Sequence, residues 1–292
     1  MRVFVTGGSG FLGSAVIGEL LQGGHQVLAL ARSEAATQRL AALGTLVLHG
    51  DMENHEALRT GVGRCDAVVH LAFNNDYTKF EETCAIDERA IDAIGKALAH
   101  TAKPFVVPNG LAGLAPGRIV TEDDDIPADY AFPRRSEQTA LKLAGDGVNA
   151  MVVRLAQVHS NVMQGLVSGL IPIARHSGMS AYVDDGANRW PAVHVSDAAH
   201  LVRLALERPE RGAKFHAVAE EGVEMRVIAE AVGRLANVPM RSLRADEAKA
   251  HFGPLGMFVA QDMPASSALT RNRMQWQPTG SRLVHDLDQS RI

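Results

Sequence analysis

Gly7, Gly10 and Gly13 recur at every third position in "TGGSGFLG", with Thr6 ahead of them and Phe11 and Leu12 between the last two. Glycine lets a chain turn sharply and brings its backbone close enough to hold a phosphate. A second stretch, "DYAFPRRSEQTALK" at 129–142, carries Tyr130, Arg134 and Lys142, a phenol and two cations of the kind that move or steer a proton. Elsewhere polar groups stand just beyond apolar runs: Arg32 and Ser33, Asp51 beside Met52, and Asn109 after Pro108. Tyr77, in the loop after "HLAF", and His159, in "RLAQVHSN", are further groups able to pass a proton. Arg189 and Trp190 precede "PAVHVSD" and are candidates for the floor of a substrate pocket.

These residues need a frame. Val3, Phe4 and Val5 read as a short apolar strand, and Phe11, Leu12, Val16, Ile17, Leu20 and Leu21 share one helix face. A glycine turn between strand and helix fits a dinucleotide: the backbone approaches the pyrophosphate, and the helix aims its positive end at it. "HQVLALARS", "TLVLHGDMEN", "CDAVVHLAF", "KPFVVPNG" and "NAMVVRLAQV" read as five further strands, with helical stretches near 35–43, 53–62, 80–101 and 135–145. That alternation predicts an α/β fold with a Rossmann-type doubly wound parallel sheet, which binds ligands at the carboxyl ends of its strands. Those ends are 7–13, Arg32, Asp51, Leu71 to Phe73 with Ala72 between, and 108–110. Arg32 and Ser33 end the second strand where an NAD site would place an acid, and a guanidinium with a hydroxyl suits a 2′-phosphate. The expectation is NADP(H), with NAD(H) as the alternative.

The chain has 292 residues, 46% of them hydrophobic, enough for a full core. A net charge of −4 gives no reason to expect nucleic acid or an acidic membrane surface. No apolar run approaches the roughly 20 residues of a membrane span. Strand and turn begin at residue 2, which leaves no secretory signal, and two cysteines suit a reducing compartment. A cytoplasmic protein is expected. The 12 histidines are scattered without metal-ligand spacing, so no metal is assigned.

"TGGSGFLG", "GDMEN", "HLAF", "RWPAVHVSDAAHLVRLALE" and "MQWQP" together resemble the extended short-chain dehydrogenase/reductase superfamily, which includes nucleotide-sugar epimerases and dehydratases. The resemblance implies that Asp51 and Met52 lie beside the adenine and that Leu71, Ala72 and Phe73 line the ribose and nicotinamide side. It implies a dinucleotide-binding domain over 1–156, rejoined by 193–219, and a smaller substrate lobe from 157–192 and 220–292. It further implies a homodimer through the helices near 80–101 and 135–145.

The pattern departs from the family at the catalytic positions. The family places a Ser or Thr after the fifth strand, where this chain has Pro108, Asn109 and Gly110. Aligning Ser136 with the Ser of the family's Tyr-x-x-Ser-Lys puts Pro133 in the Tyr position and Glu137 in the Lys position. Pro133 suits a helix start, and Glu137 suits the positive end of the helix dipole. Tyr130 falls three residues early, in a loop, and is not expected to donate a proton. The chain thus resembles atypical members without the Ser and Tyr-x-x-x-Lys residues, and Asn109, Tyr77 and His159 are the remaining candidates. The acidic run 122–125 reads as a solvated loop. Two functions stay open: an oxidoreductase or epimerase acting on a small carbonyl, alcohol or nucleotide-sugar, and a catalytically silent dinucleotide sensor or partner-binding module.

Overall fold

Val3, Phe4 and Val5 are wholly buried, as suits an apolar run in a strand covered on both faces. The structure, a computed structural model, describes residues 1–115, 117–130 and 132–290. Its elements begin β1 (Arg2–Thr6), α1 (Phe11–Gln22), β2 (Gln26–Ala31), α2 (Glu34–Ala42), β3 (Leu46–His49), α3 (His55–Gly63) and β4 (Ala67–His70). After a 3-10 turn at Tyr77–Lys79 come α4 (Phe80–Leu98), β5 (Phe105–Gly110), α5 (Ser136–Gly145), β6 (Ala150–Leu155), β7 (Gln157–His159), α6 (Val167–Ser177) and β8 (Ser180–Val183). Then follow β9 (Arg189–His194), α7 (Val195–Glu207), β10 (Lys214–Ala217), β11 (Glu220–Glu224), α8 (Met225–Ala236) and β12 (Met240–Leu243). The last helices are α9 (Ala245–Phe252), α10 (Gly256–Val259), α11 (Ala268–Met274) and α12 (Leu283–Gln289).

Seven strands form one sheet in the order β10-β6-β5-β4-β1-β2-β3, and β1 runs parallel to both β2 and β4. This is a Rossmann-type doubly wound sheet. The chain winds outward from β1 through β2 to β3, then crosses back to β4, so the reversal falls between β1 and β4. A ligand crevice is expected outside their carboxyl ends. The helices lie where their apolar faces dictate. Gly13, Val16, Ile17 and Leu20 of α1 are buried, at intervals of three, one and three. On α4, Ala90, Ile91, Ile94 and Leu98 share a core cluster with Ala140 and Leu143 of α5.

The chain divides into two compact units: Met1–Asn109 with Phe132–Arg154 and Ala198–Phe215, and Gly110–Ala131 with Leu155–Asp197 and His216–Ile292. The second holds a three-stranded sheet, β11-β9-β7, and a two-stranded one, β12-β8. The expected single sixth strand is two, β6 and β7, because β7 pairs with β9 instead of continuing in the large sheet. Residues 122–125 are a loop that is only partly solvated: Asp123 and Asp125 are exposed, whereas Glu122 is buried. Val120 bridges to Ala265, the buried Glu122 carboxylate accepts the Thr270 N–H at 2.7 Å, and Asp124 takes both ends of the Arg118 guanidinium.

Candidate active site

At the end of β1, Gly7 takes φ 70°, and a Cβ there would lie 2.4 Å from the Ala72 nitrogen. A Cβ on Gly13 would lie 2.1 Å from the Gly7 carbonyl oxygen, so the first turn of α1 presses directly on the loop. Gly10 differs: it is exposed, and a Cβ there would meet only the Gly7 oxygen, at 3.2 Å. Gly10 is also the N-cap of α1, and no side chain caps that helix. The N–H groups of the first turn, on Phe11, Leu12 and Gly13, thus face an open, side-chain-free cradle at the positive end of a 12-residue helix. A pyrophosphate fits such a cradle, since it needs donors and space and no side chain.

Beyond the other strand ends, Arg32 is exposed immediately after β2. Ser33 caps α2, accepting the Ala36 N–H at 3.3 Å, which leaves its hydroxyl proton able to donate. Asp51 accepts the Glu53 and Asn54 N–H groups on one oxygen, both at 3.0 Å, and Met52 packs partly buried against the core. Leu71, Ala72 and Phe73 are half-buried just past β4.

A buried chain of hydrogen bonds ties the switch point together. Thr6 and His70 are register partners ending β1 and β4, and the Thr6 hydroxyl lies 2.8 Å from His70 Nδ1. His70 Nε2 faces Asp87 Oδ1 at 3.3 Å, and the Ser136 hydroxyl donates to Asp87 Oδ2 at 2.5 Å. Arg134 Nε donates to the Ser136 oxygen at 2.8 Å. Burial alone would raise the Asp87 pKa; hydrogen bonds from His70 and Ser136, with the Arg134 charge, hold it below the usual carboxylate value. The Arg134 guanidinium stacks 4.2 Å over the Phe73 ring and reaches towards the Pro108 carbonyl. Phe73 meets Phe80 edge-on at 6.2 Å, and Phe80 meets Tyr77 at 5.7 Å. Burial raises the Tyr77 phenol pKa, and the charge of Arg134 opposes that rise.

The family's catalytic corner is rebuilt with other charges. Glu137, in the Lys position, is fully buried rather than merely facing a helix dipole. Arg154 of β6 grips it with two hydrogen bonds, 2.9 and 2.5 Å, and is itself fully buried. Asn109 Nδ2 donates to the same carboxylate at 3.0 Å. A carboxylate can only accept here, so the amide nitrogen must face it, and Asn109 Oδ1 is left buried with no partner among the described residues. Asn109 is therefore a locked structural amide and not a free turn residue. Tyr130 spends its hydroxyl on the Ala112 carbonyl at 3.1 Å.

The remaining candidates belong to the second unit. His159, on β7, is fully buried and holds Asp286 at 2.7 Å through Nδ1, while its Nε2 has no partner among the described residues. Burial pushes its pKa down against the pull of Asp286. Arg189 is committed to Asp262 through Nε and Nη2, at 3.1 and 2.9 Å. Trp190 is enclosed in the core and offers no face to a pocket. The expected pocket floor thus consists of a core ring and a paired cation. Among the described residues no group of three His, Cys, Asp or Glu side chains could hold a metal, and no helix is long and apolar enough to cross a membrane.

The sheet order and the glycine cradle define a Rossmann-type α/β protein of the dinucleotide-binding class. The model of the NAD dependent epimerase/dehydratase family matches residues 3–96. An uncharacterized protein of Schizosaccharomyces pombe, C2A9.02, is 42% identical over 98% of both chains. A 4-hydroxy-2-methyl-3-oxo-4-farnesyl-3,4-dihydroquinoline-1-oxide ketoreductase of Stigmatella aurantiaca is 30% identical over 87% of this chain and 80% of its own. The dTDP-glucose 4,6-dehydratase DesIV of Streptomyces venezuelae, solved with NAD and TYD bound, superposes with a TM-score of 0.77 at 17% identity, covering 99% of this chain and 96% of its own. The chain belongs to the NAD-dependent epimerase/dehydratase family of extended short-chain dehydrogenases/reductases.

Proposed function

We propose that the protein is an NADP(H)-dependent oxidoreductase that reduces a small carbonyl compound, or oxidises the corresponding alcohol, without the family's Tyr and Lys. The observation that carries this reading is the open cradle at Gly10, with the uncapped first turn of α1 and the exposed Arg32 at the end of β2. The relatives whose names state an activity include a ketoreductase and a 2-alkyl-3-oxoalkanoate reductase, which supports carbonyl chemistry over sugar epimerisation. Two free, buried cysteines suit the reducing cytoplasm.

The dinucleotide, when bound, supplies or accepts the hydride. The residues 7–13 hold its pyrophosphate, Arg32 and Ser33 its 2′-phosphate, Asp51 and Met52 its adenine side, and Leu71, Ala72, Phe73 and Pro108 its nicotinamide side. Tyr77 passes its phenol proton to the carbonyl oxygen. Arg134 stabilises the phenolate left behind, which water then reprotonates. Asn109, held by Glu137, keeps the end of β5 in shape and gives no proton.

Parallel equilibrium titrations with NADPH and NADH test the cofactor assignment. NADPH should bind about tenfold more tightly or better, and no binding of either would overturn the reading. Tyr77→Phe should lower kcat/KM by about 10²–10⁴ with NADPH affinity unchanged, as for loss of a general acid. The silent-binder alternative rests on Pro133 and Glu137 in the Tyr and Lys positions, and it predicts tight NADPH binding without turnover.

A further inference from the structure

We propose that Arg134 is a carboxylate anchor, so that the substrate is an apolar or aromatic carbonyl compound bearing a carboxylate; this rests on the oxidoreductase reading above. The guanidinium is half-buried at the carboxyl edge of the sheet, where β4 and β5 end. Its face covers Phe73 at 4.2 Å. Nε is committed to Ser136 at 2.8 Å, and Nη2 makes only a long contact, 3.5 Å, with the Pro108 carbonyl. Among the described residues Nη1 has no acceptor and no carboxylate pairs with the guanidinium. The buried Asp87 carboxylate acts on it through space and is joined to it by the Ser136 hydroxyl, but makes no direct hydrogen bond to the guanidinium.

Half-buried cations are ordinarily paired, because withdrawing an unpaired charge from water costs several kcal/mol. Here the protein fixes the near edge of the fork and leaves the end edge, Nη1 with the second Nη2 proton, without an acceptor among the described residues. Two parallel N–H groups on that edge match the bite of a carboxylate. The phosphates of a dinucleotide have their own donors in the 7–13 cradle. Beside the cation lie three half-buried rings, Phe73, Phe80 and Tyr77, a surface for an apolar body. Stacking on Phe73 also fixes the plane of the guanidinium, so little freedom is lost when the anion docks.

The test uses benzoate and benzamide, two probes of one shape that differ in charge, titrated calorimetrically into the NADP-loaded protein. Wild type should bind benzoate at least about tenfold more tightly than benzamide, the size of one charge-assisted hydrogen-bond pair. Arg134→Gln should erase that preference, and Arg134→Lys, which keeps the charge but not the fork, should retain part of it. NADPH affinity should fall by less than about tenfold in both variants, since the 7–13 cradle is untouched and only the Phe73 side can shift. Equal binding of the two probes by wild type, or a preference surviving in Arg134→Gln, would overturn the proposal. So would a tenfold loss of NADPH affinity in Arg134→Gln, which would give the cation to the dinucleotide. An Arg134-dependent benzoate preference in a wild type that binds no NADPH would leave the anchor standing and sink the cofactor reading instead.

Discussion

The glycine cradle and the corner where β5 meets α5 sit in the same unit, yet they follow opposite rules. The cradle keeps the family's form, because its chemistry is done by backbone: N–H groups, a helix end, and the absence of side chains at Gly7, Gly10 and Gly13. The corner keeps the family's place and changes every charge. A carboxylate stands where the Lys would be, a buried arginine neutralises it, and the amide of Asn109 is drawn into the pair. Backbone chemistry tolerates almost no substitution at a given φ or clearance. Side-chain chemistry can be reassigned, provided each buried charge finds a partner. The second cation, Arg134, is held by Ser136 and the Phe73 ring and makes no ion pair among the described residues.

The contrast makes its largest prediction in the cradle. Gly10→Glu should abolish NADPH binding, a loss of more than about 100-fold, while the melting temperature holds, because the new carboxylate would enter the phosphate's space. Unchanged calorimetric binding would remove the cradle from the account. Next comes the corner. Glu137→Gln should cost about 3–5 kcal/mol in urea unfolding, since it strands the buried Arg154 charge. A Glu137→Met/Arg154→Met double variant should lose less than the two single variants summed. Strict additivity would show that the pair is not coupled. A smaller effect follows at the end of β2, where Arg32→Ala should weaken NADPH binding by about tenfold and leave NADH almost unchanged. Equal loss for both would mean that Arg32 reads no 2′-phosphate. The smallest is Tyr130→Phe, which should change kcat/KM by less than about threefold, since its hydroxyl serves the Ala112 carbonyl. A hundredfold fall would restore the 129–142 stretch as a proton-transfer site.

What could be read from the sequence follows the same divide. The strands up to β5, their helices and the cradle were legible because they depend on local periodicity and glycine spacing. The corner was legible only as a gap: Ser136 set the register and showed that Tyr and Lys were missing, but not what replaced them. Two signals pointed further. Asp87 lies on the buried stripe of α4 with Cys84, Ala90 and Ile91, and an acid there requires partners. Arg154 interrupts the apolar run of β6, where an unpaired charge would not survive burial. Neither signal names its partner, because His70, Ser136 and Glu137 reach these residues across 17 to 49 positions of chain. Glu122 misled for the same reason: its acceptor role depends on Thr270, 148 residues away.

Under the proposed function this corner still supports hydride transfer. The direct measurement incubates the protein with NADPH deuterated at C4, on each face in separate preparations, and a panel of aromatic oxo acids, ketones and aldehydes. Mass spectrometry then follows the label into the alcohol product. Deuterium should appear on the carbinol carbon from one face of the nicotinamide only, most abundantly with the oxo acids. Tight NADPH binding with no label in any alcohol would contradict it and leave the chain a silent dinucleotide binder.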